Sequence, residues 1–134
     1  VAREGFWGNE MPDANELVTA FVKEFDAEQP NVATLLAYFS DDAVYHNIPI
    51  APSVGKEAIE KALSGIGQMT SRGWELTHQV ASGNVVMNER IDRFEVGGKP
   101  VEALVCGVFE VDGDKIVAWR DYFDMAMFQK QMEG

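Results

Sequence analysis

Five polar residues stand where core-facing side chains are expected. In residues 85–96 the even positions are Val86, Asn88, Arg90, Asp92, Phe94 and Val96. Strand side chains alternate with period two, so Arg90 and Asp92 share a face with three apolar neighbours. In residues 115–123 the odd set is Lys115, Val117, Trp119, Asp121 and Phe123, which sets Asp121 between two aromatic residues. Tyr45 and Asn47 share a face in a third strand. If these faces converge, one cavity holds two carboxylates, a guanidinium, a phenol and an amide. Buried charge is costly unless paired, and one arginine fork can bridge two carboxylates. Two carboxylates around one cation leave a net negative charge, so one of them should hold a proton near neutrality. One ionised and one protonated carboxyl in a dry pocket is what an acid–base pair requires. Taken singly, each signal is weak: an Arg–Asp pair on a strand is more often structural, and Asp121 alone could be a surface residue. A β-bulge would also reverse the period-two assignment.

Other chemistries find less support. His46 and His78 lie on different strands with no partner at a ligand spacing, so no metal site is expected. Cys106 has no nearby basic residue and reads as a core thiol. There is no G-x-S-x-G nucleophile motif, and neither Gly65-Ile66-Gly67 nor Gly97-Gly98 completes a nucleotide-binding loop. The 134 residues suit one domain, and 46% apolar with 25% charged residues is a globular composition. Twenty-two acidic against eleven basic residues give a formal charge of -11, which disfavours nucleic acid and anionic lipid as partners. No apolar run reaches the ~20 residues of a membrane helix. Residues 1–12 have neither a basic n-region nor an apolar h-region, so no signal peptide is expected. With a single cysteine, a soluble cytoplasmic protein is the expectation.

The elements that must position these residues follow from pattern. Residues 1–12 lack a period and read as an arm, with 13–134 as one domain. Asp13-Ala14-Asn15-Glu16 has capping-box spacing and opens a helix over 14–27. Asn31 caps a second short helix with Val32, Leu35, Leu36 and Phe39 as its stripe. A strand over 42–48 ends before Pro49 and Pro52, and a third helix runs over about 56–67. Strands are expected near 73–81, 85–96, 100–111 and 115–123, joined by Ser82-Gly83-Asn84, Gly97-Gly98 and Asp112-Gly113. Met125, Phe128 and Met132 suggest a closing helix. Helices followed by strands predict an α+β fold, with helices on one face of a curved mixed or antiparallel sheet. Val101, Ala103, Val105 and Phe109 lie on one side of their strand, and Leu104, Cys106 and Val108 on the other. Both faces then need cover, and a homodimer through the sheet would supply the second.

Tyr45-His46-Asn47-Ile48-Pro49 with Gly55, Glu89-Arg90-Ile91-Asp92, Gly107-Val108-Phe109 and Trp119-Arg120-Asp121-Tyr122-Phe123-Asp124 together resemble the limonene-1,2-epoxide hydrolase family. The resemblance spans about residues 13–129. It implies a nuclear-transport-factor-2-like and SnoaL-like fold, a strongly curved sheet with N-terminal helices closing a deep pocket. It also implies a cofactor-free, metal-free enzyme that adds water to an apolar, terpene-like or cyclic epoxide in one step. On that resemblance Asp92 would be the general base, with Tyr45 and Asn47 helping it hold the water. Asp121 would be the general acid, and Arg90 would bridge the aspartates. Ile66, Met69, Phe94, Leu104, Cys106, Trp119, Phe123 and Phe128 would stand near the apolar wall. Two rival readings are a ketosteroid-isomerase-like or polyketide-cyclase-like enzyme, which would convert a ketosteroid without touching epoxides, and a non-catalytic binding module. The latter would keep ligand affinity without the aspartates.

Overall fold

The computed structural model describes residues 13–66 and 68–133; the arm expected at 1–12 lies outside them. The order is α1 (Ala14–Lys23), a 3₁₀ turn (Glu24–Asp26), α2 (Val32–Leu36), β1 (Phe39–Asn47), β2 (Ser53–Val54), α3 (Lys56–Ile66), β3 (Thr70–Ser82), β4 (Val85–Val96), β5 (Lys99–Asp112), β6 (Lys115–Tyr122) and α4 (Met125–Glu133). The strands form one mixed sheet in the order β2-β1-β6-β5-β4-β3, with β1 parallel to β6 and the other pairs antiparallel.

Local chemistry explains the elements. Asp13 accepts from the Glu16 amide at 2.8 Å and Glu16 accepts from the Asp13 amide at 3.1 Å, a complete capping box. Asn31 caps α2 through the Thr34 amide at 2.9 Å. Gly97 and Gly98 join β4 to β5 with φ of 58° and 82°, the left-handed pair that a tight hairpin requires. Phe39, expected on the α2 stripe, instead begins β1, because the short helix stops at Leu36.

Leu17, Val18, Phe21 and Val22 of α1 press on the inner sheet face with Phe25 of the 3₁₀ turn. Phe21 meets Phe25, Phe39, Phe109 and Trp119 edge-on, at centroid distances of 5.0–6.1 Å. Register irregularities, one of them between Phe39 and Val44 in the β1–β6 pair, bend the sheet around this cluster. The β3–β4 register shifts between Ser71 and Trp74 and again between Leu76 and His78, and the β5–β6 register shifts at Val117. The last shift explains a departure from strict alternation: Ile116 is buried rather than Val117, while Trp119 and Asp121 keep the inward face.

Candidate active site

All five polar residues expected from alternation face one cavity or its floor. β4 supplies Arg90 and Asp92, β6 supplies Asp121, and β1 supplies Tyr45 and Asn47. Parallel pairing sets Asn47 against Asp121 and Tyr45 against Trp119. The cavity holds about 250 Å³. Ile66, Met69, Phe94, Phe123 and Phe128 line it as expected, and Ile50, Met125 and Phe25 extend the apolar wall.

Arg90 is wholly buried, and each of its five N–H groups has an acceptor. Nε and Nη2 grip Asp92 Oδ1 and Oδ2 at 2.9 and 2.8 Å. Nη1 and Nη2 grip Asp121 Oδ1 and Oδ2 at 3.1 and 2.8 Å. The remaining Nη1 bond reaches Asn88 Oδ1 at 3.2 Å. The guanidinium also lies 4.7 Å from the Trp74 ring centre, a cation–π contact. Two bidentate pairs on one cation hold the carboxylates in a fixed relative geometry.

The two carboxylates differ in their surroundings. Asp121 Oδ1 takes an additional bond from the Trp119 indole N–H at 2.7 Å. Among the described residues, Asp92 has only Arg90 as a side-chain donor. Burial pushes the Asp92 carboxyl up to about 6; Arg90 opposes the rise and the negative charge of Asp121 adds to it. Asn47 Nδ2 donates to the Tyr45 hydroxyl at 3.0 Å, leaving the phenolic proton free to donate. Burial and then the charge of Asp121 hold that phenol above its ordinary value, with Asp92 the weakest influence. Tyr45 stacks on Trp119 at 4.1 Å, which fixes the phenol relative to Asp121.

Three wall positions need correction. Leu104 and Cys106 point to the opposite face of β5; Leu104 is 54% exposed and Cys106 is exposed. Their neighbours Ala103 and Val105 take the cavity positions, as strand alternation demands. Trp119 is fully buried behind the cavity, where it serves Asp121 as a donor rather than forming open wall.

The sequence reading missed three contributors. Asn88 was on the inward face but had no obvious task. Trp74 faces Asp92 only because β3 bulges just before it. Gly107 sits between Asn88 on β4 and Asp121 on β6. A Cβ there would lie 2.5 Å from Arg90 Nη1, 2.8 Å from Asn88 Oδ1 and 2.9 Å from Asp121 Oδ1, so only glycine lets the groups close. Gly107 was legible as part of a motif, but not as a space requirement.

Among the described residues no group of three His, Cys, Asp or Glu side chains could hold a metal ion. Arg90 occupies the place between the carboxylates that a cation would take.

Residues 12–133 match the family model of the limonene-1,2-epoxide hydrolase catalytic domain. The chain is 36% identical over 121 residues to epoxide hydrolase EphG of Mycobacterium tuberculosis, covering 87% of this chain and 78% of that protein. A solved M. tuberculosis LEH-like epoxide hydrolase superposes with a TM-score of 0.77 at 31% identity, over 92% of this chain and 91% of the other. A SnoaL-like polyketide cyclase structure from Shewanella putrefaciens shares the fold at a TM-score of 0.77 and 15% identity, over 92% and 98% of the chains. Fold and sequence agree: the chain belongs to the limonene-1,2-epoxide hydrolase family.

Proposed function

We propose that this epoxide hydrolase adds water to a small, apolar, terpene-like or cyclic epoxide, giving a vicinal diol in one cofactor-independent acid–base step. The carrying observation is Arg90 bridging two buried, unequal carboxylates at the floor of an apolar cavity. An epoxide is strained but its alkoxide is a poor leaving group. Protonating that oxygen while water loses a proton avoids both unstable ions, and each positioned transfer contributes about 10²–10⁴-fold.

The surroundings support an assignment opposite to the one the family resemblance suggested. Asp121 stands across from Asn47 and affects the Tyr45 phenol more than Asp92 does. It also receives three hydrogen bonds, two from Arg90 and one from the Trp119 indole. Asp121 is therefore the general base, and Tyr45 and Asn47 hold the water for it. Asp92, pushed up to about 6, is the general acid that donates to the epoxide oxygen. After diol release, Asp121 carries the proton and Asp92 has lost one. Return of a single proton resets the pair.

The wall supports an uncharged apolar substrate, and the charge of -11 disfavours anionic ones. An isomerase or lyase needs one base beside an apolar pocket and leaves the bridge to a second carboxylate without a task. A homodimer through the outer sheet face fits Val80, Met87, Leu104 and Tyr122, which are 44–67% exposed there. A single exposed thiol, Cys106, fits a cytoplasmic location.

The test is diol formation from limonene-1,2-epoxide and a panel of cycloalkene oxides. Wild-type enzyme should form diol, and Asp92→Asn and Asp121→Asn should each lose at least ~10²-fold. Full turnover in either variant would refute the assignment.

A further inference from the structure

The Arg90 cluster does not end at the aspartates. Asn88 is 3% exposed; its Oδ1 accepts from Arg90 and its Nδ2 donates to Gln79 Oε1 at 3.0 Å. Gln79, its cross-strand partner on β3, turns its Nε2 to Thr19 Oγ1 at 2.8 Å and Asn15 Oδ1 at 2.9 Å, both on α1. Thr19 Oγ1 donates to the Asn15 carbonyl at 2.9 Å.

This chain has a direction. The Thr19 hydroxyl spends its one proton on Asn15, so towards Gln79 it can only accept. That turns the Gln79 NH₂ to the helix and its oxygen to Asn88. The Gln79 oxygen in turn fixes the Asn88 NH₂, leaving the Asn88 oxygen for Arg90. Reversing the Asn88 amide would set donor against donor at the guanidinium, and reversing the Gln79 amide would do so at Asn88. Gly107 allows no side chain to take over the position of Asn88.

We propose that this amide relay from α1 fixes the rotation of the Arg90 guanidinium, making Asn88 and Gln79 positioning residues for the hydration reaction. The link to hydration rests on the functional reading above; the link to Arg90 does not. A guanidinium free to turn would abandon one of its two bidentate grips, and the carboxylates would lose their fixed spacing and their inequality.

The charged and titratable groups facing Asp92 are Arg90 on its own strand, Asp121 on β6 and Tyr45 on β1. β3 and β5 present Trp74, Ala103 and Val105. A charge introduced at position 88 thus acts on a defined set. Asn88→Asp keeps the shape but adds a third carboxylate against Arg90. The Asp92 titration should move upward by about one pH unit or more.

The experiment is ¹³C-carboxyl NMR titration of aspartate-labelled protein, paired with kcat and KM on limonene-1,2-epoxide. Wild type, Asn88→Asp, Gln79→Leu and Gln79→Glu are compared, with folding followed by circular dichroism. Gln79→Leu should move the Asp92 titration and lower kcat about tenfold with KM nearly unchanged, since no wall contact is lost. Gln79→Glu retains an oxygen facing Asn88 and should recover most of kcat. If Asn88→Asp fails to fold, the Gln79 pair decides. An unmoved Asp92 titration, or wild-type kcat in Gln79→Leu, overturns the relay. A moved titration in a protein that hydrates no epoxide upholds the relay and overturns the hydrolase reading instead.

Discussion

At the residue scale, the site depends on burying one more negative charge than Arg90 can neutralise. Asp92 bears the consequence: its folded carboxyl titrates at about 6 against 3.8 for the free group. The folded state therefore binds a proton more readily than the unfolded chain. Its stabilising effect is complete below about 4 and is lost as pH rises through 6. Asp92→Asn should remove this dependence. Thermal melts at pH 4 and pH 8 should show a smaller change for the variant than for wild type; equal changes would refute the shift. On the proposed roles, kcat/KM should fall as pH rises above about 6 and Asp92 loses the proton it would donate. Gly107→Ala addresses space instead of charge. Its methyl group meets Arg90 Nη1 within van der Waals distance, so Arg90 or β5 must move. Activity should fall at least tenfold with a stability loss of about 1–3 kcal/mol, measured by denaturant melts.

At the element scale, β1, β4 and β6 carry the polar residues and helices supply apolar cover. α4 closes one side of the cavity through Phe128, which meets Phe94 and Phe123 at 5.9 and 6.5 Å between ring centres. Gln131 anchors this helix by two 2.8 Å bonds to the Glu102 backbone. Gln131→Ala should loosen the wall and raise KM several-fold with little change in kcat, a split that steady-state kinetics on an apolar epoxide resolves. Much of this level was legible in the sequence. Capping chemistry at Asp13 and Asn31, hairpin glycines and strand alternation located most elements, and alternation also brought Arg90, Asp92, Asp121, Tyr45 and Asn47 to one face. Tertiary placement was less legible. Alternation is blind to an extra residue, so Val117 falls out of phase at its bulge. It also does not tell which apolar face of β5 meets the cavity, so it offers no check on the wall positions that the resemblance gave to Leu104 and Cys106. The proposed division of roles between the two aspartates rests on β1 pairing beside Asp121, a property of sheet topology that neither motif encodes.

At the scale of the whole molecule, helices cover one face of the curled sheet and leave an apolar patch on the other. Leu104, Tyr122, Met87 and Val80 form it across four strands, and Arg93 is held between Glu75 and Glu102 on the same side. A second copy is the proposed cover, and Leu104→Glu should yield monomers by analytical ultracentrifugation. A wild type already monomeric at micromolar concentration would contradict the dimer.

The central claim is that water attacks the epoxide directly, with Asp121 taking its proton and Asp92 supplying one. A single turnover in H₂¹⁸O, with enzyme in excess over limonene-1,2-epoxide, tests it most directly by mass spectrometry of the diol. Direct attack predicts one ¹⁸O atom in the diol of the first turnover. Unlabelled first-turnover diol would mean that an aspartate carboxylate attacked carbon before water did, and would contradict the roles assigned to both.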